Sequence, residues 1–227
     1  MKKFHFLLII FCSWLLVSCE TMNHTRAELY PKMYEEKPMT LLVMPPINNS
    51  NNVEAKDLLY TSISQPLAEA GYYVISPHLA MEIFKAESAY DAENFIDQNV
   101  GVFGKVFGAD AVIFSVIDVW KKKGFGIETK LTYIVKSTHS NEVLFDRTCD
   151  LYLDLSDNNN YGGGLIGALA NLAVSAINTA LTEHIIAARK CNEFIFNDIP
   201  QGKYRAEYLK DQETLARDKN IKATVRK

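Results

Sequence analysis

The run ADAVIFSVIDVW at 109–120 constrains this chain more than any other stretch, because its apolar residues fall on both faces of an extended segment. Val112, Phe114 and Val116 alternate with Ala111, Ile113 and Ile117. A strand apolar on both faces over its first half is a central one, covered from both sides. Helices must then lie on each side of a sheet, so the chain is read as a layered α/β protein.

The remaining segments supply those layers. MTLLVMPP (39–46) is a short apolar run stopped by two prolines, a buried strand followed by a loop. INNSNN offers N-caps for a helix starting near Val53, with Val53, Leu58, Leu59, Ile63 and Leu67 on its buried face and Pro66 either kinking it or restarting its last turn. Gly71 ends that helix and YYVIS (72–76) follows as strand. Further helices are expected after Pro77 and over roughly 90–107, the second capped by Gly108. Beyond the turn KKKGFG, Ile127, Thr129, Leu131, Tyr133 and Val135 alternate with polar residues, a strand with one wet face. In VLFDRTCDLYLDLS (143–156), Val143, Phe145, Cys149, Leu151, Leu153 and Leu155 share a face that only Arg147 interrupts. The polar loop DNNNYGGG then enters a long helix, LIGALANLAVSAINTALTEHIIAARK, ending close to Cys191.

The expected order is βαβααβββα. This is a single α/β domain with a mixed sheet and a late antiparallel meander, over residues 38–204. Residues 205–227 carry seven basic and four acidic residues with little apolar period. They read as an exposed charged tail, partly helical or disordered.

The first residues read as a targeting signal. Met1, Lys2 and Lys3 precede FHFLLIIFCSWLLV, too short to span a bilayer, and the run closes at Ser18 and Cys19. LVSC (16–19) resembles the lipobox of bacterial lipoproteins, in which the cysteine receives a diacylglycerol and becomes the first residue of the mature protein. Residues 1–18 are then a lipoprotein signal peptide, and 19–37 a lipidated N-terminus and tether. The chain holds 24 basic against 27 acidic residues, and loss of Lys2 and Lys3 widens that deficit, which argues against a nucleic-acid partner.

Catalytic and metal signatures are sparse. The histidines are scattered, with no HExxH, paired CxxC, GxSxG elbow or phosphate loop, so neither an enzyme nor a metal or other cofactor is expected beyond the lipid on Cys19. Lys121, Lys122 and Lys123 read as a solvated turn that could touch anionic headgroups. Gly163, Gly167, Asn171, Ser175 and Thr179 form a small-residue stripe. It suits a core helix first, or a subunit contact and hence a homo-oligomer. Cys149 faces inward and Cys191 ends the helix that covers that face, so their Cα atoms can approach within the roughly 4.4–6.8 Å of a disulfide.

TLLVMPPINNS, PLAEAGYYVISP and FGADAVIFSVIDVW, in that order behind the lipobox, resemble a family of outer-membrane lipoproteins of the meningococcal surface-antigen type. The domain of that family is similar to the N-terminal domain of TolB and to the periplasmic domain of CsgG, the curli secretion lipoprotein. The resemblance covers approximately residues 38–155. It implies a non-enzymatic component of an envelope transport or secretion assembly, anchored in the outer membrane and facing the periplasm beside other, CsgG-like lipoproteins. The alternative expectation is a small-molecule or glycan-binding lipoprotein using Pro45, Pro46 and Asn48 at the end of the first strand. Glu20, rather than an aspartate, after the cysteine agrees with outer-membrane sorting.

Overall fold

A computed structural model describes residues 24–156 and 176–226. Cys19, DNNNYGGG and the first part of the glycine-rich helix, with Gly163, Gly167, Asn171 and Ser175, lie outside the described residues. The order begins with two short helices, α1 (Arg26–Leu29) and α2 (Pro31–Glu36), then β1 (Thr40–Val43) and β2 (Ile47–Asn48). Next come α3 (Glu54–Ser62), α4 (Ser64–Glu69), β3 (Tyr73–Val74), α5 (Pro77–Ala86), a 3₁₀ turn at Ala92–Asn94 and α6 (Gly101–Phe107). The long strands β4 (Ala111–Lys123), β5 (Gly126–Ser137) and β6 (Val143–Asp154) lead to α7 (Ala176–Phe196) and β7 (Asn220–Arg226).

One sheet holds these strands in the order β3-β1-β4-β5-β6-β7, with β2 also paired to β4. β3, β1 and β4 run parallel, β4, β5 and β6 form the antiparallel meander, and β7 runs parallel to β6. β1 and β2 both pair along β4, at Ala111–Ile113 and at Val116–Ile117. Between them stand Pro45 and Pro46, which have no N–H to give the ladder, so one strand's path becomes two.

Both faces of the first half of β4 are buried, as its sequence demands. Ala111, Ile113 and Ile117 pack with Leu59, Ile63, Leu67, Ala187 and Ile195 under α3, α4 and α7. Val112 and Phe114 pack with Phe84 and Phe103 under α5 and α6. Near Pro66 the helix restarts rather than kinks: α3 and α4 part at Ile63, and Pro66 lies in the first turn of α4. Asn52, just before α3, accepts from the Ala55 N–H of its first turn through Oδ1 at 2.9 Å. Gly71 and Gly108 end their helices at φ +92° and +66°, a conformation that a Cβ disfavours.

Several expectations are corrected. Val53 is 85% exposed, because α3 begins one residue later and turns it outward. In place of one helix over 90–107 stand the 3₁₀ turn and α6; the carbonyls of Ile96 and Gln98 between them accept from Lys136 Nζ at 3.0 and 2.9 Å. This segment covers the end of the β5 face expected to be wet. α7 continues past Cys191 to Phe196, so FIF is its last turn. The tether reading fails for residues 24–37, where Tyr30 and Met33 are buried in the core. The tail reading fails as well: Ile221, Ala223 and Val225 of β7 pack against that core while Asn220, Lys222, Thr224 and Arg226 face water.

Candidate functional site: a terminal clasp and an exposed helix pair

Arg147 stands at a core-facing position of β6, between Phe145 and Cys149, and is 1% exposed. A guanidinium there must be paired, since an unpaired buried charge costs several kcal/mol. It donates to Asp198 Oδ1 at 2.5 Å and Oδ2 at 3.3 Å, to the carbonyls of Ile195 (2.6 Å) and Arg217 (3.2 Å), and to the Tyr30 hydroxyl (3.1 Å). The Arg217 N–H adds a bond to Asp198 Oδ2 at 2.7 Å. Burial opposes the arginine's charge, but Asp198 and, after it, Tyr30 together more than offset it and hold the guanidinium above its ordinary basicity. Burial pushes the Tyr30 phenol up to about 12, with Arg147 pulling the other way. One side chain thus joins the N-terminal segment, β6, the end of α7 and the approach to β7.

A second buried pair lies nearby. Arg26 donates to Asp211 Oδ2 at 2.6 Å, and the Gln201 N–H donates to the same oxygen at 2.8 Å. Thr25 and Leu215 form an antiparallel bridge, flanked by Arg26 N–H to Thr214 O (2.9 Å) and Ala216 N–H to His24 O (3.0 Å). Thr25 and Glu28 cap α1 reciprocally. The two ends of the described chain are therefore clasped to each other and to the core. Arg147 was the visible signal, a single charge in an apolar alternation, but nothing local pointed to Asp198, Tyr30 or Arg217.

The other sequence-predicted sites fare differently. Pro45 and Pro46 are buried under the sheet's helices, and Asn48 spends its amide within its own turn, donating to Asn52 O (2.8 Å) and accepting from Ser50. Asn48 itself is half-buried, while Asn49 and Asn51 beside it are exposed. Cys149 and Cys191 reach the same core, yet both are free buried thiols. Cys191 Sγ turns to the Thr129 hydroxyl at 3.5 Å instead of to Cys149, and burial pushes each thiol up to about 12. The Lys121–Lys123 tip is internally paired: Lys121 and Lys123 with Glu128 at 3.2 and 3.1 Å, Lys122 with Glu183 at 2.7 Å. Among the described residues no cluster of three metal-ligating side chains occurs, and no helix is long and apolar enough to cross a membrane.

A feature outside the sequence reading lies on the opposite face from α7. α5 and α6 meet through Phe84, whose ring centroid is 6.2 Å from that of Phe103 and 5.4 Å from that of Phe107. Their outer sides carry apolar pairs one turn apart, Leu79 (64% exposed) with Ile83 (41%) and Val102 (49%) with Val106 (60%). A half-open cleft of about 410 Å³ between α4 and α7 is lined by the charged side chains of Glu69, Arg189, Lys190 and Glu193 together with Pro66 and Ile186.

The model of the GNA1162-like family matches residues 29–200, from just before Tyr30 to just past Asp198. The chain belongs to the GNA1162-like lipoprotein family. A relative in that family, NMB1124/NMB1162 of Neisseria meningitidis serogroup B, is 27% identical over 158 residues, 68% of this chain and 72% of the relative. The crystal structure of lipoprotein GNA1162 from Neisseria meningitidis superposes with a TM-score of 0.46 at 23% identity, covering 64% of this chain and 99% of that one. The LpoB C-terminal domain from Salmonella enterica gives a TM-score of 0.36 at 16% identity, covering 55% and 93%. Membership in a lipoprotein family implies a membrane-anchored place in the cell envelope.

Proposed function

We propose that this GNA1162-like protein is a non-catalytic component of an envelope transport or secretion assembly. A lipid on Cys19 holds it at the outer membrane, and it acts in the periplasm through contacts with other envelope lipoproteins. The observation that carries this reading is the outward face of α5 and α6, where Leu79, Ile83, Val102 and Val106 remain exposed on two helices that meet. Exposed apolar pairs on adjoining helices are candidates for a protein contact, which single scattered apolar residues are not. Affinity capture from detergent-solubilised envelope tests the reading. The wild-type chain is expected to bring down defined lipoproteins, and a Leu79→Asp/Val106→Asp variant with unchanged circular dichroism is expected to lose them. Equal capture by both would refute the assignment of this face.

A further inference from the structure

The second clasp does more than hold the chain ends. Asp211 accepts from both Arg26 and the Gln201 N–H, so residues 201–211 form a closed loop whose base is tied to the segment leading back to Cys19. Successive turns compact this loop: Arg205 N–H to Gly202 O (3.1 Å), Tyr208 N–H to Arg205 O (3.2 Å) and Lys210 N–H to Glu207 O (2.8 Å). The Gly202 and Tyr204 N–H groups donate to Ala70 and Gly71 carbonyls, seating the loop at the end of the sheet where β1 and β3 begin.

Its surface combines exposed basic side chains with an exposed aromatic ring. Lys203, Arg205 and Lys210 are exposed against the exposed carboxylates Glu207 and Glu213, an excess of one basic group on a chain whose acidic residues outnumber its basic ones; Arg205 pairs with Glu207 at 3.6 Å and Lys210 donates to the Ala206 carbonyl at 3.2 Å. Tyr204 is 67% exposed, and Leu215, opposite Thr25 in the clasp, is 61% exposed. From Arg26 back to Cys19 is seven residues, a reach of at most about 25 Å even when fully extended. The hairpin tip with Phe125 lies at the other end of β4, about 40 Å of strand away.

We propose that the 201–211 loop, with Leu215, is the surface that lies against the bilayer when Cys19 is lipidated, its lysines and arginine meeting anionic headgroups and Tyr204 entering the interface. The proposal rests on the lipid-anchor reading. Basic side chains near an anionic surface and an interfacial aromatic are the second signal that fixes a lipidated protein's orientation. The hairpin tip then points away from the membrane.

The test places the full chain, lipidated on Cys19, in vesicles of phosphatidylethanolamine and phosphatidylglycerol. An environment-sensitive thiol dye is carried on Tyr204→Cys, or on Phe125→Cys as the distant control. Vesicle contact is expected to reduce iodide quenching at position 204 by roughly twofold or more and to leave position 125 unchanged. A Lys203→Glu/Lys210→Glu variant is expected to lose the protection. Equal access of iodide to both positions overturns the proposal, as does protection of 204 that appears only when envelope proteins are added. Flotation separates the two claims. A chain that does not float with vesicles defeats the anchor reading and the proposal together, whereas one that floats with an exposed dye at 204 defeats the proposal alone.

Discussion

Replacing Arg147 by methionine keeps the side chain's reach and removes its charge. The Asp198 carboxylate, only 12% exposed, would then face a thioether, and the Tyr30 hydroxyl and the carbonyls of Ile195 and Arg217 would lose a donor. Removing one partner of a buried ion pair costs about 3–5 kcal/mol. Asp198 keeps the Arg217 N–H, so the lower end of that range, about 3 kcal/mol, is expected. For a domain of this length that is a fall of about 6–12 °C in Tm. The assay is thermal unfolding followed by circular dichroism, together with limited trypsin digestion at Lys32 in the clasped segment. Cleavage at Lys32 should rise in parallel with the loss of stability, because Tyr30 is one of the groups released. Substituting Asp198→Leu in the Arg147→Met background should recover part of the loss, since the orphaned carboxylate is gone. A loss below about 1 kcal/mol, as for a surface pair, would refute the reasoning. So would strictly additive effects of the two substitutions.

Alkaline pH should destabilise the fold. Tyr30, Cys149 and Cys191 are each pushed up to about 12, above their values in an unfolded chain, so the stability they contribute is complete below about pH 9 and is lost as pH rises toward 12; a Tm that stays flat from pH 8 to about 11 would contradict this. The same burial predicts that a thiol reagent modifies neither cysteine in the native protein and both after denaturation without reductant, and mass spectrometry would expose a disulfide as two unmodified sulfurs. Acid should break the Trp120–His184 contact, because His184 Nδ1 accepts from the Trp120 N–H at 2.8 Å and burial holds its imidazole below the ordinary value; tryptophan emission should shift as the ring protonates, and a His184→Ala variant should not show that step. Gly202→Ala should destabilise by roughly 2 kcal/mol or more, since a Cβ there would stand 2.3 Å from Gly71 O, and urea unfolding measures it.

The parts of the fold legible in the sequence are those written in short-range periods. β4 shows two apolar faces, β5 and β6 alternate, and Gly71 and Gly108 stand where helices must turn into the left-handed region. The parts that were not legible depend on partners far along the chain. Arg147 finds Asp198 at 51 residues' distance and Tyr30 at 117, so its charge looked like an interruption when it is the centre of the clasp. β7 hides a period of two, Ile221, Ala223 and Val225, among charges that dominate its composition. Its strand character comes from β6 offering an open edge. Cys149 and Cys191 were placed on the right face, but a face does not fix a side-chain direction, and Thr129 draws the Cys191 thiol away. The α5–α6 surface was invisible for the opposite reason: exposed Leu79 and Val106 look like core residues until the helix directions are known.

Retention of the domain in the envelope by a lipid on Cys19 is tested by fractionating cells that carry the wild-type chain or a Cys19→Ala variant. Wild-type protein is expected in the membrane fraction with a lipid-sized mass increment on Cys19, and the variant in the soluble periplasmic fraction or retained as uncleaved precursor. A variant that is cleaved and still membrane-bound, or a wild-type protein whose Cys19 carries no lipid, would contradict it.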